Sequence, residues 1–145
     1  MDDTQELLAD LYIVCQPIML CSDINVIDGY EVLLRSKKQP GFPEKTFLWF
    51  IEEEQRNSEL LAYYSKELKK IIAATSNIKL ALNLHPKQLQ HQSTWLFLDT
   101  IVSMKENISI ELTEHYCTFD PAEGADMLQT YISKLKTKDV SLAID

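Results

Sequence analysis

Gly29-Tyr30-Glu31-Val32-Leu33-Leu34-Arg35 is an extended, largely apolar run that carries one carboxylate and one guanidinium. Residues two apart in a strand share a face, so Glu31, Leu33 and Arg35 point the same way. Both charges need a partner there, because an unpaired buried charge is costly. Taken alone, the stretch predicts a Glu31–Arg35 ion pair, with a metal and a phosphate as the other partners. Strands further along the chain favour those other partners.

Upstream, residues 12–21 (YIVCQPIMLC) read as a strand rich in β-branched and apolar side chains. Pro17 inside it predicts a sheet edge or an irregularity, since proline donates nothing to a ladder. The turn at Ser22-Asp23-Ile24-Asn25 is short, so this strand and residues 26–35 must be antiparallel, with a bend at Asp28-Gly29. Residues 4–11 (TQELLADL) form a short helix with Thr4 as its expected cap.

Downstream of the loop Pro40-Gly41-Phe42-Pro43, two helices are expected over 44–56 and 58–75. In the second, Ser58 is the expected cap, and Leu61, Tyr64, Leu68 and Ile71 make one apolar stripe. Lys66, Glu67, Lys69 and Lys70 fall on its solvated face. From residue 78 a unit repeats: strand 78–84 (IKLALNL), helix 86–105 opened by Pro86, strand 108–112 (ISIEL), helix 121–136, strand 140–145 (VSLAID). Strand–helix alternation with short connections implies a parallel sheet.

Each of these strands is apolar until its C-terminal end, where one oxygen-bearing residue stands: Asn83, Glu111 and Asp145. They lie about one strand–helix unit apart, so a parallel sheet brings them to one rim, where α/β folds build their sites. Singly, each has an ordinary reading as a turn residue, an ion-pair partner or a helix-terminal charge. Together with Glu31 they form an all-oxygen donor set, which suits Mg²⁺ or Mn²⁺ better than Zn²⁺. Such a site serves phosphodiester hydrolysis. His85 shares the face of Asn83 and borders this rim, whereas His91 reads as a surface residue. Cys117 lacks an activating partner, and Trp49 and Trp95 read as core.

The 145 residues, 46% hydrophobic and 25% charged, describe one globular domain. A net charge of -8 argues against binding to a DNA or RNA polymer or to an anionic membrane. The acidic opening, the lack of an apolar run long enough to span a bilayer and three cysteines without a CxxC predict a cytoplasmic, reduced protein.

The motifs Gln16-Pro17-Ile18, Gly29 to Arg35, Asn83-Leu84, Glu111-Leu112-Thr113-Glu114 and Leu142-Ala143-Ile144-Asp145 resemble, in order and spacing, the EAL domain family. The resemblance runs from about residue 12 to the last. It implies a modified TIM (β/α)8 barrel with an antiparallel first strand, which hydrolyses cyclic di-GMP to pGpG with two Mg²⁺ or Mn²⁺ ions. On that resemblance Glu31, Asn83, Glu111 and Asp145 are metal ligands, with Glu31, Glu111 and Asp145 serving catalysis. Gln16, Leu33 and Arg35 contact the substrate, and Glu114 organises a loop and a dimer-linked metal site.

Val32 replaces the signature's alanine, and His85 stands where serine is usual. The family motif continues past its first Asp with Asp, Phe and Gly, whereas the sequence here stops at Asp145. The expectation is therefore one incomplete EAL domain over residues 1–145, truncated to about the first five or six strands of a fold that needs about 250 residues. Such a chain is expected to lack phosphodiesterase activity alone. The alternative is a truncated or degenerate module that binds cyclic di-GMP or another protein. The exposed edge at 140–145 raises homodimer assembly as a further expectation.

Overall fold

The computed structural model describes residues 3–113 and 124–144. Helix α1 (Asp3–Asp10) leads into β1 (Leu11–Met19), which turns back into β2 (Ile27–Ser36). The two are antiparallel, from Leu11 opposite Ser36 to Ile18 opposite Gly29. Met19 then faces Ile27, so Asp28 is the extra residue of a bulge, at the bend expected there. Gly29 answers to a close approach. A Cβ at this position would lie 3.0 Å from the Lys79 carbonyl oxygen, which accepts the Tyr30 N–H at 2.8 Å. Pro17 sits on β1, the edge strand of the sheet among the described residues, where proline is tolerated.

From β2 onward the ladder is parallel, through β3 (Leu80–Leu84), β4 (Ile108–Leu112) and β5 (Ser141–Ile144) in chain order. Helices α2 (Glu44–Ile51) and α3 (Glu54–Ala74) cross from β2 to β3. A 3₁₀ turn (Pro86–Gln90) and α4 (Gln92–Val102) cross to β4, and α5 (Gly124–Leu135) crosses to β5. The result is an α/β, TIM-barrel-like sheet of five strands that is not closed among the described residues.

The sheet's two faces differ in kind. Val32, Leu34, Leu80, Leu82, Leu84, Ile108, Ile110 and Leu112 are each no more than 4% exposed, packed in one core with Phe50, Ile51, Leu60, Leu68, Leu98 and Ile101 of the helices. Burying each such side chain is worth about 1.5–3 kcal/mol. The other face holds Tyr12, Val14 and Gln16 of β1, which pair with Arg35, Leu33 and Glu31 and therefore share their side. All three β1 residues are exposed.

Four local expectations change. Ser58 lies inside α3, which starts at Glu54 after an extended Glu53 without a side-chain cap. The first turn is held instead by Asn57, fully buried, whose Nδ2 donates to Ser93 Oγ at 2.7 Å and Thr94 Oγ1 at 2.9 Å, while its Oδ1 accepts from Gln88 Nε2 at 3.1 Å. Thr4 likewise lies inside α1. The helix expected over 86–105 breaks at His91, whose backbone is extended. His91 is buried rather than at the surface, because its Nε2 hydrogen-bonds the Ile51 carbonyl while Nδ1 faces Glu54. Trp95 is buried, with Nε1 donating to the Leu89 carbonyl at 2.8 Å. Trp49 is half-buried, with the Arg56 guanidinium 4.1 Å above its ring.

Candidate functional site

The C-terminal ends of β2, β3 and β4 open on a cavity of about 610 Å³. Five of the singled-out residues line it: Glu31, Leu33, Arg35, Asn83 and Glu111. Their meeting follows from register, since Asn83 stands directly beside Glu111 in the parallel ladder. Across the β2–β3 seam, Asn83 Nδ2 donates to Glu31 Oε1 at 3.0 Å, although the two are 52 positions apart in the chain. Gln16 sits beside the cavity, opposite Glu31 on β1. Glu114 and Asp145 lie outside the described residues, as do His115, Cys117 and Pro121.

The Glu31–Arg35 ion pair does not form. Four residues along a strand span about 13 Å, beyond the reach of a direct contact at this spacing. Arg35 instead donates from Nη1 to the Leu34 carbonyl at 2.8 Å, and Glu31 takes the Asn83 amide. One of the guanidinium's five donors is thereby used.

His85 follows β3 and borders the same cavity. It caps the 3₁₀ turn: Nδ1 accepts the Lys87 N–H at 3.0 Å, and the Gln88 side chain takes the His85 N–H at 3.0 Å. Burial, with the nearby Lys87 charge second, pulls the imidazole down to about 4. The ring is therefore neutral at pH 7 and, with Nδ1 accepting, carries its proton on Nε2. Through Gln88 this cap joins the buried Asn57 network, so the rim of β3 is tied to α3.

In kind, the donors fit a hard divalent cation: two carboxylates and an amide oxygen, with no sulfur or imidazole among them. Turning the Asn83 amide over would present Oδ1 beside Glu31. Among the described residues no three His, Cys, Asp or Glu side chains converge closely enough to hold a metal. Glu31, Asn83 and Glu111 thus meet at one rim of the cavity without closing into a metal site among the described residues. The wall they share with Phe42, Glu44, Phe47 and Thr113 was not anticipated from the sequence. Phe42 and Phe47 come from the connection after β2, and loops after strands build the site face of such folds. That placement was the available signal.

An antiparallel entry hairpin, parallel strands with intervening helices and a cavity at their C-terminal rim define a barrel-type α/β domain. The chain belongs to the EAL domain family, whose model matches residues 3–145. This is a family of cyclic di-GMP phosphodiesterases. No curated protein matches the chain. Solved structures with the same fold include the PaMucR phosphodiesterase in complex with c-di-GMP, at TM-score 0.59 and 21% identity, covering 94% of this chain and 59% of that one. The FimX EAL domain aligns at TM-score 0.60 and 20% identity, covering 98% and 60%. The EAL enzyme Bd1971, in its cAMP- and cyclic-di-GMP-bound form, aligns at 0.62 and 16%, covering 98% and 43%. The chain thus spans 60% or less of the length of these three structures. Among the described residues no helix is long and apolar enough to cross a membrane.

Proposed function

We propose that the rim cavity is a binding site for cyclic di-GMP, and that the protein hydrolyses this ligand to pGpG with Mg²⁺ or Mn²⁺. The observation that carries the reading is the meeting of Glu31, Asn83 and Glu111, from three strands, at one cavity wall beside Arg35. Glu31, Asn83 and Glu111 would hold the cation together with Asp145, the residue after β5. When bound, such an ion supplies Lewis-acid polarisation of a phosphoryl oxygen. Arg35 offers a planar fork that matches two phosphate oxygens. Gln16 and Leu33 flank the ligand from the neighbouring strand positions, and Glu114 organises the loop after β4 and a dimer-linked metal site. Residues 1–145 belong to one EAL domain, which acts in the cytoplasm.

A second reading is a module that binds cyclic di-GMP, or another protein, without turnover, this chain then having no phosphodiesterase activity alone. It is favoured by β1, where exposed Tyr12, Val14, Ile18 and Met19 leave apolar side chains in water. A homodimer would cover such surface.

The two readings separate in one assay. The chain is incubated with cyclic di-GMP and Mn²⁺, and linear pGpG is followed by chromatography. Turnover that is lost in Glu31→Ala supports the hydrolase. Tight binding without product supports the module as a cyclic di-GMP receptor, and neither binding nor product overturns the hydrolase and the receptor alike, leaving only a module for another protein.

A further inference from the structure

Phe42 is 50% exposed on the connection between β2 and α2, an unfavourable place for a large apolar ring unless something covers it. Its backbone is held on both sides. Gly41 takes a left-handed conformation at φ 75°, which glycine adopts without strain. The Phe42 carbonyl accepts the Glu44 N–H at 2.9 Å, and the next carbonyl, of Pro43, accepts the Phe47 N–H at 2.9 Å. The ring rests on Phe47 with centroids 5.3 Å apart and planes at 56°. Phe47 in turn meets His85 at 6.2 Å and 55°. All three rings line the cavity that holds Arg35 and Glu31.

We propose that Phe42, backed by Phe47, is a stacking shelf for the planar heteroaromatic ring of the ligand whose phosphate Arg35 grips. The inference rests on the reading of the cavity as a cyclic di-GMP site and adds a residue that sets ligand class. A guanidinium and an exposed aromatic face in one cavity are the two complements of a nucleotide, one for its charge and one for its base. The tilted Phe47 ring supports Phe42 from one side, which lowers the ordering required when a base arrives. Base stacking on an aromatic side chain changes affinity by about five- to a hundredfold. The plainer role for Phe42, a cover for Phe47, would be filled equally well by leucine.

Calorimetric titration of cyclic di-GMP into the wild type, Phe42→Leu and Phe42→Trp separates the two roles, with Ca²⁺, diamagnetic and a poorer Lewis acid, in place of Mn²⁺ so that the ligand is not consumed. The shelf predicts that Phe42→Leu binds about tenfold or more weakly and Phe42→Trp binds at least as well as wild type. The guanine H8 resonance should shift upfield on the wild type and lose that shift on Phe42→Leu. Affinity for inorganic phosphate should be the same in all three. Equal cyclic di-GMP affinity in wild type and Phe42→Leu would overturn the shelf and leave the cyclic di-GMP reading standing. A parallel loss of phosphate affinity in Phe42→Leu would also overturn it. If the wild type binds no cyclic di-GMP, the reading of the cavity fails and the shelf with it.

Discussion

The two faces of one sheet carry opposite kinds of residue. On the helix-covered face, Leu80, Leu82, Leu84, Ile108, Ile110 and Leu112 are almost without solvent contact. On the other face Glu31, Asn83 and Glu111 are half-buried, and Gln16, Val14 and Tyr12 are exposed. A period of two puts these sets on alternate positions of the same strands. Stability therefore resides on one face and the proposed ligand site on the other, and substitutions one residue apart should have separable consequences.

The largest stability effect is expected at Ile110, fully buried beside Glu111. Ile110→Ala should destabilise the fold by about 2–5 kcal/mol in urea unfolding. A loss under 1 kcal/mol would show that the covered face is not what holds the domain. Asn57→Ala comes next, because it strips partners from Ser93, Thr94 and Gln88 at once. It should cost about 1–3 kcal/mol in the same titration.

His85 gives a pH signature that joins the faces. The fold keeps its imidazole neutral down to about 4, whereas the unfolded chain takes up a proton near 6.5. The unfolded state therefore binds more protons between those values, and stability falls as pH falls from about 6.5 toward 4. His85→Ser keeps a cap acceptor but nothing to titrate. Urea unfolding at several pH values should show a shallower acid-side decline in the variant, and identical slopes would contradict the assignment. The smallest effect belongs to the open face. Val14→Thr should shift stability by no more than about 0.5 kcal/mol, since Val14 is already 39% exposed.

How much of this was legible in the sequence follows the range of the forces involved. The strand read at 108–112 is β4 residue for residue, and the antiparallel hairpin and parallel order also emerged, because apolar period and connection length are local properties. The shared rim of Asn83 and Glu111 was legible for the same reason, being a consequence of repeat length and strand period. Helix starts were not. Asn57 anchors the head of α3 through residues 36 and 37 positions away, so Ser58, a good cap by local rules, sits mid-turn. His91 looked like a surface histidine because its partner, the Ile51 carbonyl, is 40 residues upstream. His85 at the rim was legible from the same strand period, but the wall formed by Phe42 and Phe47 was not, since only the fold brings the β2–α2 connection and α2 beside the end of β3.

The division between the faces is tested most directly on Asn83→Ala, by measuring urea unfolding and cyclic di-GMP binding in Ca²⁺, where the ligand is not consumed, on the same preparation. Asn83 lies between the buried Leu82 and Leu84 and bridges to Glu31. The account predicts stability within about 1 kcal/mol of wild type and binding reduced at least tenfold. A variant that binds like wild type, or that unfolds as readily as Ile110→Ala, would contradict it.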